Sequence, residues 1–405
     1  MQETDTPFRI DIDAAEQLIF DSMPALPTVR LPLDQAIGRV LRAQVTAERD
    51  QPPFDRATMD GIALSGEALA SGQKRFRIDG IQAAGMPQLE LTDRNSCLEV
   101  MTGAVMPAGC DTVIPVERIT VAEDIAELEA GYQAATGQFV HLRGSDHSGG
   151  ELLLEPGTTI RGPEMAILTA AGKAEVAVND WPSIAILSTG DELVDVGDDM
   201  RPHQIRSSND RAIETALHLR GCTQTHRYCL PDDPDELRQS ISQQHDDHDI
   251  LILSGGVSMG KYDYIPRIME ELSVQLVFHK ILQRPGLPMW FGTSTAGKPV
   301  FALPGNPVST LVCLIRYVIP ALMHSAGQEI RQLNVPLSTA VSFDPDLCWF
   351  LPVRLESSPQ GLQAVPCPTN TSGDFIGLRD TDGFVELPRG SNHFPAGYCP
   401  RFWAW

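Results

Sequence analysis

Hydrophobic positions follow different patterns in the middle of the chain and towards its two ends. From Ser183 to about Met323, short apolar runs alternate with segments in which apolar residues recur every three or four positions. The run Ile250 to Leu253 is apolar throughout, as expected of a central parallel strand that is covered on both faces. We therefore predict a doubly wound, mostly parallel α/β domain in this region.

Shorter apolar runs separated by turn residues occupy the regions on either side of this domain. They predict a small β domain between Phe76 and Val140 and a compact β domain after Gly327. Apolar residues at helical spacing predict helices at Ile12 to Met23 and at Leu33 to Leu41. The predicted fold class is multidomain α/β plus β, with the α/β domain in the centre.

The most apolar long segment, Val308 to Met323, contains Arg316 and Pro320. A charge and a proline favour a buried helix that ends at the proline over a membrane span. The polar and acidic segment from Met1 to Asp13 does not have the pattern of a signal peptide. We predict a cytoplasmic protein that does not enter a membrane.

The chain has 53 acidic and 31 basic residues, for a formal net charge of -22. Binding to nucleic acid or to an anionic membrane requires a basic face, and no cluster of Lys and Arg supplies one. The eight cysteines are scattered without a C-x-x-C pair, which favours free thiols in a reducing compartment over a zinc site. In so acidic a protein, an anionic ligand requires a few well-placed cations.

The strand predicted at Ile250 to Leu253 leads into a loop with the composition of an anion-binding turn. Gly255 and Gly256 lack Cβ atoms, so their N–H groups can approach phosphate oxygens. The helix predicted from Tyr264 to Leu272 would add the positive end of its dipole. Asp263 lies where this helix begins, and a carboxylate beside a phosphate indicates a divalent cation between them. The alternative is structural, with Asp263 as a helix N-cap and the glycines as a tight turn.

Three strands of the predicted sheet end in loops of special composition, and open α/β sheets bind ligands at the carboxyl ends of their strands. The loops follow Leu187, Leu253 and Leu303. One such loop can be a simple turn, whereas three at one edge favour a pocket. The candidate substrate-binding residues in these loops are Ser188, Thr189, Gly190, Ser254, Gly255, Gly256, Ser258, Gly260, Pro304, Gly305 and Asn306.

Charged residues near these loops are candidates for binding an anion or a metal. In an extended chain Lys280 and Arg284 would point to the same face, although most surface charges of this kind are only solvated. Asp232 and Asp233 precede Pro234, and Asp233 is suited to cap the helix that follows. Asp232 is then the carboxylate left for a ligand.

The loops, together with two motifs in the N-terminal half, resemble the MoeA/gephyrin family of molybdopterin molybdenumtransferases. The motifs stand in family order over nearly the whole chain, and as a set they are specific to the family. They are Pro52-Pro-Phe-Asp-Arg-Ala-Thr-Met-Asp-Gly61, Met101-Thr-Gly-Ala104, Ser188-Thr-Gly-Asp-Glu-Leu193, Ser254-Gly-Gly-Val-Ser-Met-Gly260 with Tyr262-Asp-Tyr264, and Leu303-Pro-Gly-Asn-Pro307.

The resemblance implies an elongated homodimer with an active site between the α/β domain of one subunit and the inserted domain of the other. The implied reaction takes adenylylated molybdopterin and molybdate, cleaves the adenylate with a divalent cation, and leaves molybdenum on the dithiolene. Other proteins of molybdenum cofactor biosynthesis would be partners. The implied domains are 1–50 with 141–180 as a linker-like N-terminal domain, 51–140 as an inserted β domain, 181–328 as the molybdopterin-binding α/β domain and 329–405 as the C-terminal β domain.

The resemblance also implies roles for individual residues outside the glycine-rich loops. Asp60 and Thr102 would reach the active site from the partner chain. Lys280 and Arg284 would bind the anionic substrate. Ser372, within the motif-like run Thr371-Ser-Gly373, would line the molybdate site.

Three carboxylates would handle Mg²⁺ and the phosphate end of the pterin: Glu192, Asp232 and Asp263. This implied set agrees with the chemistry of the residues themselves. A pyrophosphate, a molybdate and a divalent cation together need backbone donors, carboxylates and cations at one place.

The chain departs from the family pattern in the C-terminal domain and at Arg284, where the family usually has lysine. Leu347 and Pro352 stand where arginines are usual, and only Arg354 remains. We expect this change to affect molybdate binding more than pterin binding. Two alternatives follow: a paralogue that binds molybdopterin without inserting metal, and a molybdopterin adenylyltransferase, although the latter generally lacks the two β domains.

Overall fold

The structure is a computed structural model that describes residues 9–257, 264–359 and 361–405. The chain divides into two compact units. Residues 44–155 and 162–174 form one unit, and the remainder of the described chain forms the other.

The smaller unit contains a six-stranded sheet, as expected for the inserted β domain. Its strands, in spatial order, are Thr112–Pro115, Gly61–Leu64, Ser96–Val100, Arg75–Gln82, Ile125–Leu128 and Ile119–Ala122. Short pairs join Arg56–Ala57 to Val140–His141 and Val45–Thr46 to Leu152–Leu154, and the helices are Gly66–Ala70 and Gly162–Ala170. The strand Gly61–Leu64 requires glycine at its start, because a Cβ on Gly61 would lie 1.9 Å from the carbonyl oxygen of Ile114.

The larger unit is organised around a second six-stranded sheet, which confirms the predicted α/β domain. We label its strands in chain order: β1 Ile184–Thr189, β2 Thr225–Leu230, β3 Ile250–Ser254, β4 Val274–His279, β5 Trp290–Ser294 and β6 Pro299–Leu303. The spatial order is β2-β1-β3-β6-β5-β4. The pairs β2/β1, β1/β3 and β3/β6 are parallel, whereas β6/β5 and β5/β4 are antiparallel.

Apolar side chains cover this sheet on both faces. Along β3, Ile250 and Ile252 belong to one hydrophobic cluster, and Leu251 and Leu253 belong to another. Since successive side chains of a strand point to opposite faces, the two clusters lie on the two sides of the sheet. This explains why the sequence of β3 is apolar without alternation.

One helix of the α/β domain begins at a side-chain cap that the sequence predicts. The domain contains the helices Asn209–His218, Pro234–Asp247, Ile265–Glu271 and Pro307–Cys313. Asp233 caps the second of these, since its carboxylate accepts from the amides of Asp235 and Glu236 at 3.0 Å each. The predicted structural role of Asp233 is confirmed.

The helix that begins at Pro307 continues through a π-helical turn, Leu314–Val318, to Ile319–Ser325. Pro320 has no N–H to donate to the preceding turn, and the π turn lies directly before it. Over Pro307–Ser325 the helix is long and apolar enough to cross a membrane, but 83% of its most apolar window is buried inside the protein. That burial confirms the predicted buried helix. The prediction that it ends at Pro320 was wrong, because Pro320 lies in the first turn of the segment Ile319–Ser325, where a missing N–H is tolerated.

The C-terminal β domain is built on a third sheet. Its strands, in spatial order, are Gln283–Arg284, Cys348–Ser358, Gly383–Leu387, Arg401–Ala404 and Leu333–Asn334, and Gly361–Pro366 pairs with the second of them. The pair Val341–Ser342 and His393–Phe394 lies outside this sheet. The first strand comes from the loop between β4 and β5, so the C-terminal sheet includes residues of the α/β domain.

The N-terminal segment of the larger unit has one of the two helices that we predicted. Ile12–Ser22 is helical, whereas Leu33 to Leu41 is not, apart from a 3₁₀ turn at Leu33–Gln35. The prediction for this second segment was wrong, because Gly38 adopts a left-handed φ of 74° and Leu41 joins Val178 in a β-bridge. The strands Thr28–Pro32 and Glu175–Asn179 pair beside it.

All eight cysteines are free thiols. Burial raises the pKa of Cys97, Cys222 and Cys313 to about 12. These three thiols therefore stay protonated at neutral pH and fill core positions.

Candidate active site

A cleft of about 1470 Å³ opens at the carboxyl edge of the α/β sheet and extends to the C-terminal β domain. The loops after β1, β3 and β6 all line it, which is the arrangement expected of an open α/β sheet. Twelve of the residues predicted from sequence line this cleft: Ser188, Thr189, Glu192, Asp232, Ser254, Gly255, Gly256, Arg284, Pro304, Gly305, Asn306 and Ser372.

Two hydroxyls at the end of β1 are buried in the wall of the cleft. Ser188 is 1% exposed and Thr189 is 7% exposed. Neither Ser188 Oγ nor Thr189 Oγ1 has a hydrogen-bond partner in the part of the chain that the structure describes. A buried polar group without a partner costs about 1–3 kcal/mol, so a ligand that bonds to these hydroxyls would recover that cost.

The glycines of the loops permit close approach between backbone segments. Gly255 has a φ of 102°, and a Cβ there would lie 2.9 Å from the carbonyl oxygen of Thr189. Its amide donates to the carbonyl of Leu303 at 3.2 Å. This amide extends the parallel ladder between β3 and β6, so of the two glycine amides that we expected could approach a phosphate, the one at Gly255 is already bonded within the protein.

Asn209 ties the same two loops together from a third element. At the start of the helix Asn209–His218, its Nδ2 donates to Ser254 Oγ and to the carbonyl oxygen of Gly305, at 2.8 Å each. We did not predict this role for Asn209. The sequence signal for this role was the run Ser207-Ser208-Asn209, because Ser and Asn side chains bond to neighbouring backbone as readily as they cap a helix.

Among the described residues, three carboxylates line the cleft, Glu192, Asp232 and Asp344, and the first two are those predicted from sequence. Glu192 belongs to a turn held by the Leu193 amide, which donates to the Gly190 carbonyl at 3.1 Å. The Glu192 carboxylate packs closely against Gly190. A Cβ at position 190 would lie 2.6 Å from Glu192 Oε2, so a larger residue there would displace this side chain. The Asp232 amide donates to Asp191 Oδ1 at 3.1 Å, which fixes the loop after β2.

The predicted metal set combines these two carboxylates with Asp263. Asp263 lies outside the described residues, as do the predicted loop residues Ser258 and Gly260. Within residues 9–257, 264–359 and 361–405, no group of three or more His, Cys, Asp and Glu side chains could hold a metal ion. The three-carboxylate set therefore stays a prediction, of which the structure places two members in one cleft.

Two guanidinium groups lie among the described residues that line the cleft, Arg206 and Arg284. Arg206 holds a loop, since it donates to the carbonyl oxygens of Asp195 and Asp198, the latter at 2.8 Å. Lys280 is not among the described lining residues. Its φ of 74° is left-handed, so the extended chain that would align Lys280 with Arg284 is not formed.

The C-terminal wall of the cleft carries apolar residues where the family usually has arginines. Leu347 and Pro352 line the cleft. Arg354 does not appear among the described lining residues, and its Nε donates to Glu356 Oε1 at 3.0 Å. Ser372 lines the cleft and its Oγ accepts from Asn306 Nδ2 at 2.8 Å.

In the smaller unit, Asp60 and Thr102 contact each other. The Thr102 amide and Oγ1 both donate to Asp60 Oδ1, at 2.6 Å each. These two bonds favour the ionised carboxylate and lower the pKa of Asp60 below its ordinary value. Asp60 is therefore an anion at neutral pH and remains one at more acidic pH than a free aspartate.

We expect Thr102→Val to raise the pKa of Asp60 towards its ordinary value, because the variant loses the bond from Oγ1 and keeps the bond from the amide. In the wild type, the stabilisation from these bonds is present above the unfolded pKa and is lost as pH falls through the lowered folded pKa. A ¹³C NMR titration of the aspartate carboxyls, with Asp60→Asn to assign the signal, measures the shift. Thr58→Val is the matched control, since Thr58 Oγ1 donates to the Phe139 carbonyl; equal shifts in both variants would contradict the assignment.

A mixed α/β sheet with a large cleft at the carboxyl ends of its parallel strands is typical of enzymes that bind small molecules. Three family models match the chain: the MoeA N-terminal region (domain I and II) over residues 10–172, the "Probable molybdopterin binding domain" over residues 185–324, and the MoeA C-terminal region (domain IV) over residues 334–402. The chain belongs to the MoeA family of molybdopterin molybdenumtransferases. It is a transferase of molybdenum cofactor biosynthesis.

Curated relatives and a solved structure match over almost the full length. The chain is 39% identical to the molybdopterin molybdenumtransferase of Synechocystis sp., over 98% of this chain and 100% of the relative. It is 30% identical to the protein of the same name from Staphylococcus aureus, over 96% of this chain and 94% of the relative. The molybdopterin biosynthesis MoeA protein from Pyrococcus horikoshii superposes with a TM-score of 0.77 at 29% identity, over 98% of both chains.

Proposed function

We propose that this protein inserts molybdenum from molybdate into adenylylated molybdopterin, with divalent-cation-dependent release of AMP. The observation that carries the proposal is the cleft, which gathers hydroxyls, carboxylates and a guanidinium from four loops at one sheet edge. The substrate carries a pyrophosphate, and the second substrate is an oxyanion. A mixed set of hydrogen-bond donors and charges suits both.

Residues of this chain would bind and orient the substrates. The unpartnered hydroxyls of Ser188 and Thr189 would donate to oxygen atoms of the pterin phosphate. Asn306 and Ser372, joined at 2.8 Å, would hold the substrate between the α/β and C-terminal domains. Arg284 would offset the negative charge of an oxyanion in a protein whose net charge is -22.

The carboxylate oxygens of Glu192 and Asp232 are suitable ligands for a Mg²⁺ ion. Mg²⁺ prefers oxygen ligands and is usually held by one or two carboxylates together with water and substrate phosphates. These two residues would hold the ion, and the sequence adds Asp263 to them. When bound, the cation would neutralise charge on the phosphates of the adenylate.

Asp60 and Thr102 would contribute from the partner subunit of a homodimer, and the protein would act in the cytoplasm beside other proteins of molybdenum cofactor biosynthesis. The hydrogen-bonded pair keeps the Asp60 carboxylate ionised and fixes its orientation. Light scattering during gel filtration tests the dimer. Mixing Asp60→Asn subunits with subunits altered at Glu192 tests the shared site, because active mixed dimers form only if the two residues act in trans.

The C-terminal wall supports a second candidate function, in which the protein binds molybdopterin without inserting metal. Leu347 and Pro352 line the cleft where arginines are usual, and Arg354 pairs with Glu356. Loss of an expected cation from this wall would weaken molybdate binding and leave the pterin side intact.

The reaction itself separates the two functions. Purified protein is incubated with adenylylated molybdopterin, molybdate and Mg²⁺, and AMP and protein-bound molybdenum are measured together. Molybdenum insertion predicts one molybdenum transferred for each AMP released, with no release when Mg²⁺ is chelated. Binding of the adenylate without AMP release or molybdenum transfer would support the paralogue instead.

A further inference from the structure

The cleft residue Arg284 belongs to a strand that the C-terminal β domain holds in place. Gln283–Arg284 pairs in parallel with the strand Cys348–Ser358, and Arg284 lies directly beside Trp349 in the register. The Cys348 amide donates to the Leu282 carbonyl at 2.9 Å. The C-terminal domain therefore sets the backbone position of this cation.

Aromatic rings of the same domain lie beside the Arg284 guanidinium. Arg284 Cζ is 6.0 Å from the centre of the Phe343 ring. Phe343 in turn stacks on Trp349, with ring centres 4.8 Å apart and an interplanar angle of 14°. Both rings line the cleft. A guanidinium is planar and packs against a ring face, whereas an ammonium lacks this shape.

Asp344, the chain neighbour of Phe343, also lines the cleft and adds a negative charge to this wall, and apart from Arg284 no described cation of the wall is available to an anion. Leu347 and Pro352 are apolar, and Arg354 is engaged by Glu356. Arg206, the second cation among the described lining residues, is bonded to the carbonyls of Asp195 and Asp198. Phe343, Trp349 and Arg284 therefore form the part of the cleft wall that carries positive charge beside the C-terminal domain.

We propose that Phe343 and Trp349 are positioning residues that hold the Arg284 guanidinium towards a tetrahedral oxyanion in the cleft. The proposal rests on the proposed function for the identity of that oxyanion, which is molybdate or the phosphate of the AMP moiety. The C-terminal domain would then control oxyanion affinity through aromatic rings. The arrangement also accounts for arginine at 284, because a planar cation is better suited than an ammonium to pack against the Phe343 ring, 6.0 Å away.

The experiment is a double-mutant cycle in the full-length protein. Dissociation constants for molybdate and for AMP are measured separately by calorimetry in the wild type, Phe343→Leu, Arg284→Lys and the double variant. Phe343→Tyr is the conservative variant, since it keeps the ring. KM for molybdate, kcat and the melting temperature are measured in parallel.

We expect Phe343→Leu to weaken binding of at least one oxyanion by about fivefold, which is the strength of a partly exposed cation–π contact. Phe343→Tyr should bind as the wild type does, and Phe343→Leu should have little further effect once position 284 is lysine. A loss confined to molybdate assigns the oxyanion as molybdate, and a loss confined to AMP assigns the adenylate phosphate.

The proposal is overturned if Phe343→Leu leaves both dissociation constants unchanged. It is equally overturned if Phe343→Tyr binds as weakly as Phe343→Leu, or if the effects of Phe343→Leu and Arg284→Lys on binding are additive. It is also overturned if the wild type binds neither oxyanion. Failure of the proposed function looks different. In that case the wild type releases no AMP and transfers no molybdenum, while the coupling between Phe343 and Arg284 in oxyanion binding is still observed.

Discussion

Replacing Glu192 by glutamine, or Asp232 by asparagine, should lower kcat/KM for magnesium-dependent AMP release by about 100-fold or more, the scale of losing a charge that acts on a transition state. Both carboxylates line the cleft, and each substitution keeps the shape of the side chain while removing its charge. The concentration of Mg²⁺ needed for half-maximal rate should rise. Chromatographic measurement of AMP over a series of Mg²⁺ concentrations checks both effects.

Glu236→Gln is the matched control for this prediction. Glu236 is an exposed acid in the first turn of the helix Pro234–Asp247 and is not among the described residues that line the cleft. It should keep the wild-type rate and the wild-type dependence on Mg²⁺. If Glu192→Gln and Asp232→Asn behaved as this control does, the assignment of the two carboxylates to the metal would be wrong.

Replacing Arg316 by methionine should lower the free energy of unfolding of the larger unit by about 3–5 kcal/mol, the cost of leaving a buried partner charge unpaired. Arg316 is 0% exposed and bonds to Glu386 at 2.7 Å and to Glu16 at 2.8 Å. Its guanidinium also lies 4.7 Å from the ring centre of Trp403. One side chain therefore joins the N-terminal helix, the core helix and the C-terminal sheet.

Urea unfolding followed by tryptophan fluorescence measures this loss, since Trp403 lies against the substituted residue. Arg238→Met is the control, because Arg238 forms exposed ion pairs with Asp235 and Glu271, which contribute about 0–1 kcal/mol. A double variant with Glu386→Gln should recover part of the loss by removing the unpaired charge. A loss below about 1 kcal/mol for Arg316→Met would show that the buried network is not a main support of the fold.

The sequence predicted best those elements whose pattern depends on local rules. The strand at Ile250–Ser254 follows from its continuous apolar run, and the helix at Pro234 follows from its aspartate cap. The strand Trp290–Ser294 was missed because its aromatic residues, Gly292 and Thr293 show neither alternation nor a continuous aliphatic run. The helix expected at Leu33 to Leu41 fails because tertiary β-bridges determine its conformation.

The contrast between local rules and tertiary contacts also explains which site residues could be located from the sequence. Loops at strand ends converge by topology, so Ser188, Ser254 and Gly305 could be placed together in advance. Lys280 could not be placed, because its side-chain direction depends on a left-handed backbone conformation. Asn209 was missed because its bonds reach residues 45 and 96 positions away in the chain.

Hydrogen–deuterium exchange, with and without adenylylated molybdopterin, tests most directly whether the substrate occupies this cleft. We expect slower exchange in peptides that cover the loops after β1, β3 and β6 and the segment around Ser372, with no change in the helix Pro234–Asp247. Protection confined to surfaces outside these loops, at saturating ligand, would contradict it.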